Sequence, residues 1–473
     1  MTQRRDLDKN GKDPALAERP CEHPFASRPS LRETTAVEVP SFVADEPLVG
    51  NYFVAAYPPF SCWQANQIPA VIDALNGPAP DAPIGLYVHI PFCQKKCAYC
   101  YYLSYVGARP AMVDDYVETL LGELRLYSGH PAVKGRPASF VYFGGGTPSL
   151  LTPEQTRRLL AGLREVLPWS DAKEVTFECA PRTVSSELLR CLREQGVTRV
   201  SMGVQSFDNT LLALNGRVHS AEDAVRAFSL IRPMGFEWVN LDLMTGLMGE
   251  TAASWENTIQ RMIELSPHSA TIYQTEIPYN TQSYQRFKGG HAPAPAISWA
   301  EKRQRLAFGF EQLERTGYRI ASAYSAVKEP SRHEFQYQNY LWRGGDMLGL
   351  GVAAFSYFGG VHFQNSVTLG SYMDRIRQGE FPLKRAYRLA DKDQAVREFI
   401  LQLKWGKVSV AAFQKKFGCD ITDTFGPQLH KLEAEGLLNV SSSAVQLTRA
   451  GLLCVDRLLP YFYQPQHQDL RYT

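Results

Sequence analysis

From residue 84 the chain alternates between short runs rich in β-branched and aromatic residues and longer stretches whose apolar residues recur at helical spacing. The β-rich runs are IGLYVHI, SFVYFGG, EVTFECA, RVSMGVQS, WVNLDLMTG and SATIYQTEI. Between them lie DDYVETLLGELRLYS, TPEQTRRLLAGLREVL, SSELLRCLREQG, SAEDAVRAFSLIRPMG and TAASWENTIQRMIEL, with Ser, Thr or Asp near their starts and often Gly near their ends. Short connections between successive units require parallel strands joined by right-handed crossovers. Six such units predict an α/β fold, a partial (β/α)6 barrel of the TIM type, rather than a doubly wound sheet. Chemistry is then expected at the C-terminal ends of the strands.

The 473 residues exceed one ordinary domain. Residues 1–40 are rich in Pro, Arg, Glu and Asp without periodicity and read as a mobile leader. Residues 41–83 hold EPLVGNYFVAAYPPFSCWQ, an aromatic segment expected to pack on the barrel. The barrel core spans 84–295 and a barrel-closing extension 296–392, where a helix from SWAEKRQRLAFGFEQLERTG precedes a strand YRIASAYSAV. Residues 393–473 predict a small, mainly helical domain of winged-helix outline. A formal net charge of +2 gives no global argument for nucleic acid, and the recognition helix shows no concentrated base-reading set. No apolar run approaches a bilayer's length, so no membrane association and a cytoplasmic location are expected. Nine cysteines, an odd number with most of them scattered singly, exclude a secreted disulfide framework.

Cys93, Cys97 and Cys100 form C-x3-C-x2-C in the loop after the first strand. Three such thiols suit buried apolar positions, part of a zinc site, or three ligands of an iron-sulfur cluster. No Cys or His follows within the next 28 residues, which disfavours zinc. A [4Fe-4S] cluster held by three thiolates leaves one iron open to a small molecule.

With this spacing after the first strand, the chain resembles the radical S-adenosylmethionine (SAM) superfamily. YVHIPFC, YFGGGTPS, SMGVQSF and NLDLMTGL resemble, more narrowly, the oxygen-independent coproporphyrinogen III oxidase family, from about residue 84 into the C-terminal domain. The resemblance implies a [4Fe-4S] cluster on Cys93, Cys97 and Cys100 whose open iron binds SAM, and a one-electron donor such as flavodoxin or ferredoxin. One electron then yields methionine and a 5'-deoxyadenosyl radical. It further implies that the glycine run with Gly145 and Gly146 receives the methionine amino group, with Thr147 adding a hydroxyl. Tyr87 and Tyr99 match positions that touch the nucleotide cofactors, and Glu178 one that contacts the first SAM. Gln205, Arg217 and Asp242 match residues that hold a second SAM, and Phe355 a further contact.

Two departures bear on the substrate. Tyr102 stands where the oxidases carry a further Cys, and Glu276 where their second-cofactor pocket has a small residue. These favour similarity to class C radical SAM methyltransferases and cyclopropanases: a second SAM donates a methyl or methylene carbon to an sp2 carbon of a small aromatic or unsaturated substrate. A separate methyltransferase is a candidate partner. Tyr101, Tyr102, Tyr105 and the NYFVAAYPPF aromatics are candidates to line an apolar pocket. The alternatives are decarboxylation of coproporphyrinogen III or anaerobic opening of haem, with Arg375, Arg377, Lys384, Arg385 and Arg388 as propionate partners, and haem trafficking, with His333 or His362 as axial ligand.

Overall fold

The computed structural model describes residues 48, 50, 53–54, 56–332, 334–468 and 470, so the leader reading for 1–40 and the His333 reading lie outside the described residues. The six expected strands form as β1 (Ile84–Ile90), β2 (Ala138–Gly145), β3 (Glu174–Cys179), β4 (Arg199–Gln205), β5 (Trp238–Thr245) and β6 (Ser269–Gln274), side by side in chain order and all parallel. Their crossover helices start where the capping residues stand. Thr152, Ser220 and Thr251 each close a capping box with the third residue of its helix, and Ser185 accepts from Leu188 N. Val200, Met202 and Val204 on one face of β4 are buried, as are Val239, Leu241 and Leu243 on β5. The alternate residues of β4, from Arg199 through Ser201 and Gly203 to Gln205, line an interior cavity.

The segment 296–392 extends the sheet at both edges instead of joining β1 to β6. After the helix Trp299–Arg315, the stretch expected to be one strand is a hairpin of β7 (Arg319–Ile320) and β8 (Ser325–Val327). Ala321 N donates to Ser325 O, and the Ser322 and Ser325 hydroxyls lie 2.7 Å apart across the turn. Ser322 and Ser325, whose hydroxyls bond across the turn, favour this reversal. β8 then pairs antiparallel with β6. On the other side β9 (Met347–Leu350) runs parallel to β1, followed by antiparallel β10 (Phe355–Phe358), β11 (Val361–Asn365) and β12 (Leu383–Arg388). The twelve-stranded order is β12-β11-β10-β9-β1-β2-β3-β4-β5-β6-β8-β7.

The C-terminal part has helices Asp391–Leu403, Val410–Phe417 and Ile421–Ala434 and a three-stranded sheet of Lys407–Ser409, Ala444–Leu447 and Leu438–Val440, the winged-helix outline. Phe399 stacks on Phe425 at 4.5 Å in its core. The N-terminal aromatics pack as well: Tyr57 is fully buried and Trp63 nearly so. The described residues all fall in one compact unit.

Candidate active site

The loop after β1 is pinned before any cofactor enters. Phe92–Cys93 pairs with Tyr105–Val106, Ala98 N donates to Asn215 O, and Ser283 N donates to Ala98 O. Gly216, at φ +78°, lets the loop after β4 pass beneath the cysteines, for a Cβ there would sit 3.3 Å from Ala98 N and 3.6 Å from Cys97 Cα. Cys93, Cys97 and Cys100 are free and half-buried. Thr147 Oγ1 lies 3.6 Å from Cys93 Sγ, and Arg217 Nη1 donates to Cys97 Sγ at 3.3 Å. Burial pushes the Cys100 thiol up to about 11 and raises Cys93, while Lys96 opposes the rise in both. Among the described residues no three His, Cys, Asp or Glu side chains converge as the ligands of a single ion do. The triad instead suits a cluster, in which each thiolate binds its own iron.

The glycines at the end of β2 serve the protein itself first. A Cβ on Gly145, at φ +112°, would lie 2.5 Å from the His89 ring, and one on Gly146 2.8 Å from Phe92 O. These glycines let β2 close against the end of β1 and the cysteine loop, and Gly146 N donates to Ile90 O. Glu178, half-buried, accepts from Tyr142 OH at 2.6 Å and Gly145 N at 3.2 Å; burial pushes its carboxyl up to about 7. Tyr87 stacks on Tyr142 and its hydroxyl lies 3.1 Å from His89 Nδ1.

Across the barrel mouth, Gln205 takes a left-handed φ of 69°, uncommon for a residue other than glycine, where the β4–β5 register shifts. Arg217 Nη2 donates to Gly203 O at 2.6 Å, and Asp242 accepts from Ser201 and Asn240. Glu276 accepts from Phe53 N. Phe355 stacks on Phe60 with ring centroids 4.3 Å apart. Tyr99 OH, Gln205 Oε1 and Arg217 Nε are buried without a hydrogen-bond partner, as expected of groups that await a polar ligand.

Cys93, Cys97, Cys100, Tyr87, Tyr99, Gly145, Gly146, Thr147, Glu178, Gln205, Arg217, Asp242, Glu276 and Phe355 all line one cavity of about 950 Å³. Tyr101, Tyr102, Phe53 and Phe60 join them, whereas Tyr105 lies outside the lining and accepts from Leu369 N. Tyr142, Tyr337 and residues Leu452–Arg457 of the C-terminal part also line it without having been expected from sequence. Tyr142 was readable, two residues before Gly144 on the same strand face; the others carry no motif.

Of the basic run, only Arg385 reaches the cavity. Arg375 donates to Phe381 O and Leu383 O, Arg377 pairs with Asp374 and Asp115, Arg388 pairs with Asp73, and Lys384 is exposed. His362 is buried beneath Trp63, with Nε2 3.1 Å from Tyr57 O, and does not line the cavity. No helix among the described residues is long and apolar enough to cross a membrane.

The chain matches the model of the Radical SAM superfamily over residues 87–262 and that of the HemN C-terminal domain over 389–454. It is 33% identical to the heme chaperone HemW of Bacillus subtilis over 384 residues, 80% of this chain and 98% of that one. It is 29% identical to the oxygen-independent coproporphyrinogen III oxidase of Escherichia coli over 398 residues, 81% of this chain and 86% of that one. The solved coproporphyrinogen III oxidase (HemN) of Escherichia coli superposes with a TM-score of 0.76 at 26% identity, covering 87% of this chain and 96% of that one. These relatives are heme chaperones and oxidases, so the expected methyltransferase or cyclopropanase branch finds no support. From its matched domains, its fold and these relatives, the chain belongs to the HemN/HemW-like family of radical SAM proteins.

Proposed function

We propose that this protein is a radical SAM enzyme acting on a tetrapyrrole, by oxidative decarboxylation of coproporphyrinogen III or a related anaerobic reaction on haem. The observation that carries this reading is the continuity of one cavity from the cysteine triad, through the polar groups at the barrel mouth, to an aromatic chamber walled by Tyr101, Tyr102, Tyr337, Phe53 and Phe60. When bound, the [4Fe-4S] cluster and SAM supply a 5'-deoxyadenosyl radical that removes hydrogen from a substrate carbon. Cys93, Cys97 and Cys100 would hold the cluster, and Arg217 donates to one of those sulfurs. Glu178, held by Tyr142 and Gly145 N, is oriented to accept from the cofactor's amino or hydroxyl groups. Gln205, Arg217 and Asp242 present an amide, a guanidinium and a carboxylate to a second SAM on the far side of the mouth. The aromatic walls exclude water from the radical.

The test is anaerobic turnover of the reconstituted protein with flavodoxin or ferredoxin as reductant. Coproporphyrinogen III should release carbon dioxide with stoichiometric 5'-deoxyadenosine, or haem should be opened. Formation of S-adenosylhomocysteine with a methylated product would overturn the reading. A second reading, haem binding without turnover, is favoured by the match to HemW across nearly that chain's whole length. It predicts a shifted Soret band on adding haemin and no deoxyadenosine.

A further inference from the structure

Arg199 opens β4, and its side chain lines the cavity at the N-terminal end of the barrel strands. It is 3% exposed. Its guanidinium lies 4.2 Å from the centroid of Phe335 and 4.9 Å from that of Trp238. Nε and Nη1 are buried and donate to nothing. Glu174 shares this region, but its oxygens accept from Thr176 Oγ1 at 2.7 Å and from Gln336 N at 3.3 Å. A buried cation keeps its charge at low free energy only when its donors are used. Glu174, Asp242 and Glu178 lie within electrostatic reach of the guanidinium, yet the aromatic contacts occupy its faces and Nε and Nη1, on the edge that recognises a carboxylate, take no hydrogen-bond acceptor from the protein.

We infer that Arg199 is an anion receptor at the closed end of the barrel and takes a carboxylate of the ligand bound in the cavity. Glu174, Glu178 and Asp242 face the same interior, and burial raises all three carboxyls so that they hold protons more readily than free ones; a carboxylate adds one negative charge beside them where a phosphate would add two. Along β4, Arg199 stands six residues from Gln205, about 20 Å of strand. A ligand that fills both ends therefore carries its carboxylate on the side opposite its reacting carbon. Propionates on opposite edges of a tetrapyrrole meet that condition; the inference rests on the tetrapyrrole reading only for whose carboxylate is bound.

The experiment uses the cluster-loaded protein and four ligands. Benzoate should raise the melting temperature of the wild type and benzamide, its uncharged counterpart, should not; this arm needs no variant. Arg199→Gln should abolish the benzoate effect and weaken coproporphyrin III binding, read by tryptophan quenching, about tenfold or more, while SAM affinity falls by less than coproporphyrin III affinity, because the cysteine triad and the glycine run lie at the opposite end of the strands. Arg199→Lys, which keeps the charge without the planar fork, should fall between. Equal stabilisation by benzoate and benzamide would overturn the proposal. So would an Arg199→Gln variant that loses SAM affinity and keeps coproporphyrin III. If benzoate binds through Arg199 and coproporphyrin III does not bind the wild type at all, the anion site stands and the tetrapyrrole reading falls.

Discussion

Cys97 is only half-buried, and its thiol accepts from the Arg217 guanidinium on the cavity wall. Cys97→Ala is therefore expected to fold with the wild-type circular dichroism and to lose the brown [4Fe-4S] absorbance and all deoxyadenosine formation. A full cluster spectrum in that variant would mean that other residues are the ligands. Glu178 makes a prediction that needs no cofactor. Burial raises its carboxyl from 4.5 to about 7 in the fold. An acid whose folded value exceeds its unfolded one contributes stability below pH 4.5, and that stability is lost as pH rises through 7. Glu178→Gln removes the titration, so urea denaturation of the apoprotein should show a flatter stability profile between pH 4.5 and 7 in the variant. Parallel wild-type and variant profiles would show that Glu178 is solvated and titrates normally.

Among the elements, the helix Pro110–Ser128 does more than cover the sheet. Its buried Glu123 accepts from Gly351 N at 2.8 Å, Asn365 Nδ2 at 2.6 Å and Tyr372 OH at 2.6 Å, gathering the turn after β9, the end of β11 and the helix Leu369–Arg377. That turn carries Ala353, at a left-handed φ of 60°, and leads into Phe355 on the cavity wall. Glu123→Ala strands three buried donors and should cost about 2–4 kcal/mol, measured by urea denaturation, with a weaker SAM affinity as the Phe355 wall shifts; Glu123→Gln, which still accepts from two of them, should lose less. Elements of this kind mark how far sequence carries. The barrel strands and their capped helices were legible because each is a local pattern of period or cap, and the triad was legible because its three cysteines lie within eight residues. The β7–β8 hairpin was not, since its turn lacks the glycine or proline that usually marks one. Glu123 and Arg199 look from sequence like a helix-surface acid and a strand-start cation. What buries them, Tyr372 and Asn365 for one and Phe335 and Trp238 for the other, comes from residues with no fixed spacing to them.

At the scale of the whole molecule, the cavity is closed by chain segments some four hundred residues apart, and Lys404 is where they meet. It is 1% exposed, donates to Val54 O at 2.6 Å, pairs with Asp456 at 3.3 Å and lies 4.0 Å from the Phe53 ring centroid. Asp456 in turn accepts from Val54 N and from Tyr324 OH, and residues Leu452–Arg457 around it line the cavity with Phe53. One buried ion pair thus ties the N-terminal aromatic segment and the C-terminal part to the barrel mouth. Removing one partner leaves the other charge buried, so Lys404→Ala should destabilise by about 3–5 kcal/mol, whereas Lys404→Met with Asp456→Leu should recover part of the loss, because both charges leave together while Val54 and Tyr324 lose their hydrogen-bond partners. If the strap serves mainly to close the cavity, the double variant should regain part of the melting temperature lost by Lys404→Ala and still bind SAM more weakly than wild type, since Val54 and Tyr324 have lost their polar anchors. Full recovery of both would make the pair a stability element alone. Failure of the double variant to recover any stability would show that the hydrogen bonds to Val54 and Tyr324, and not the attraction between the two charges, carry the contribution.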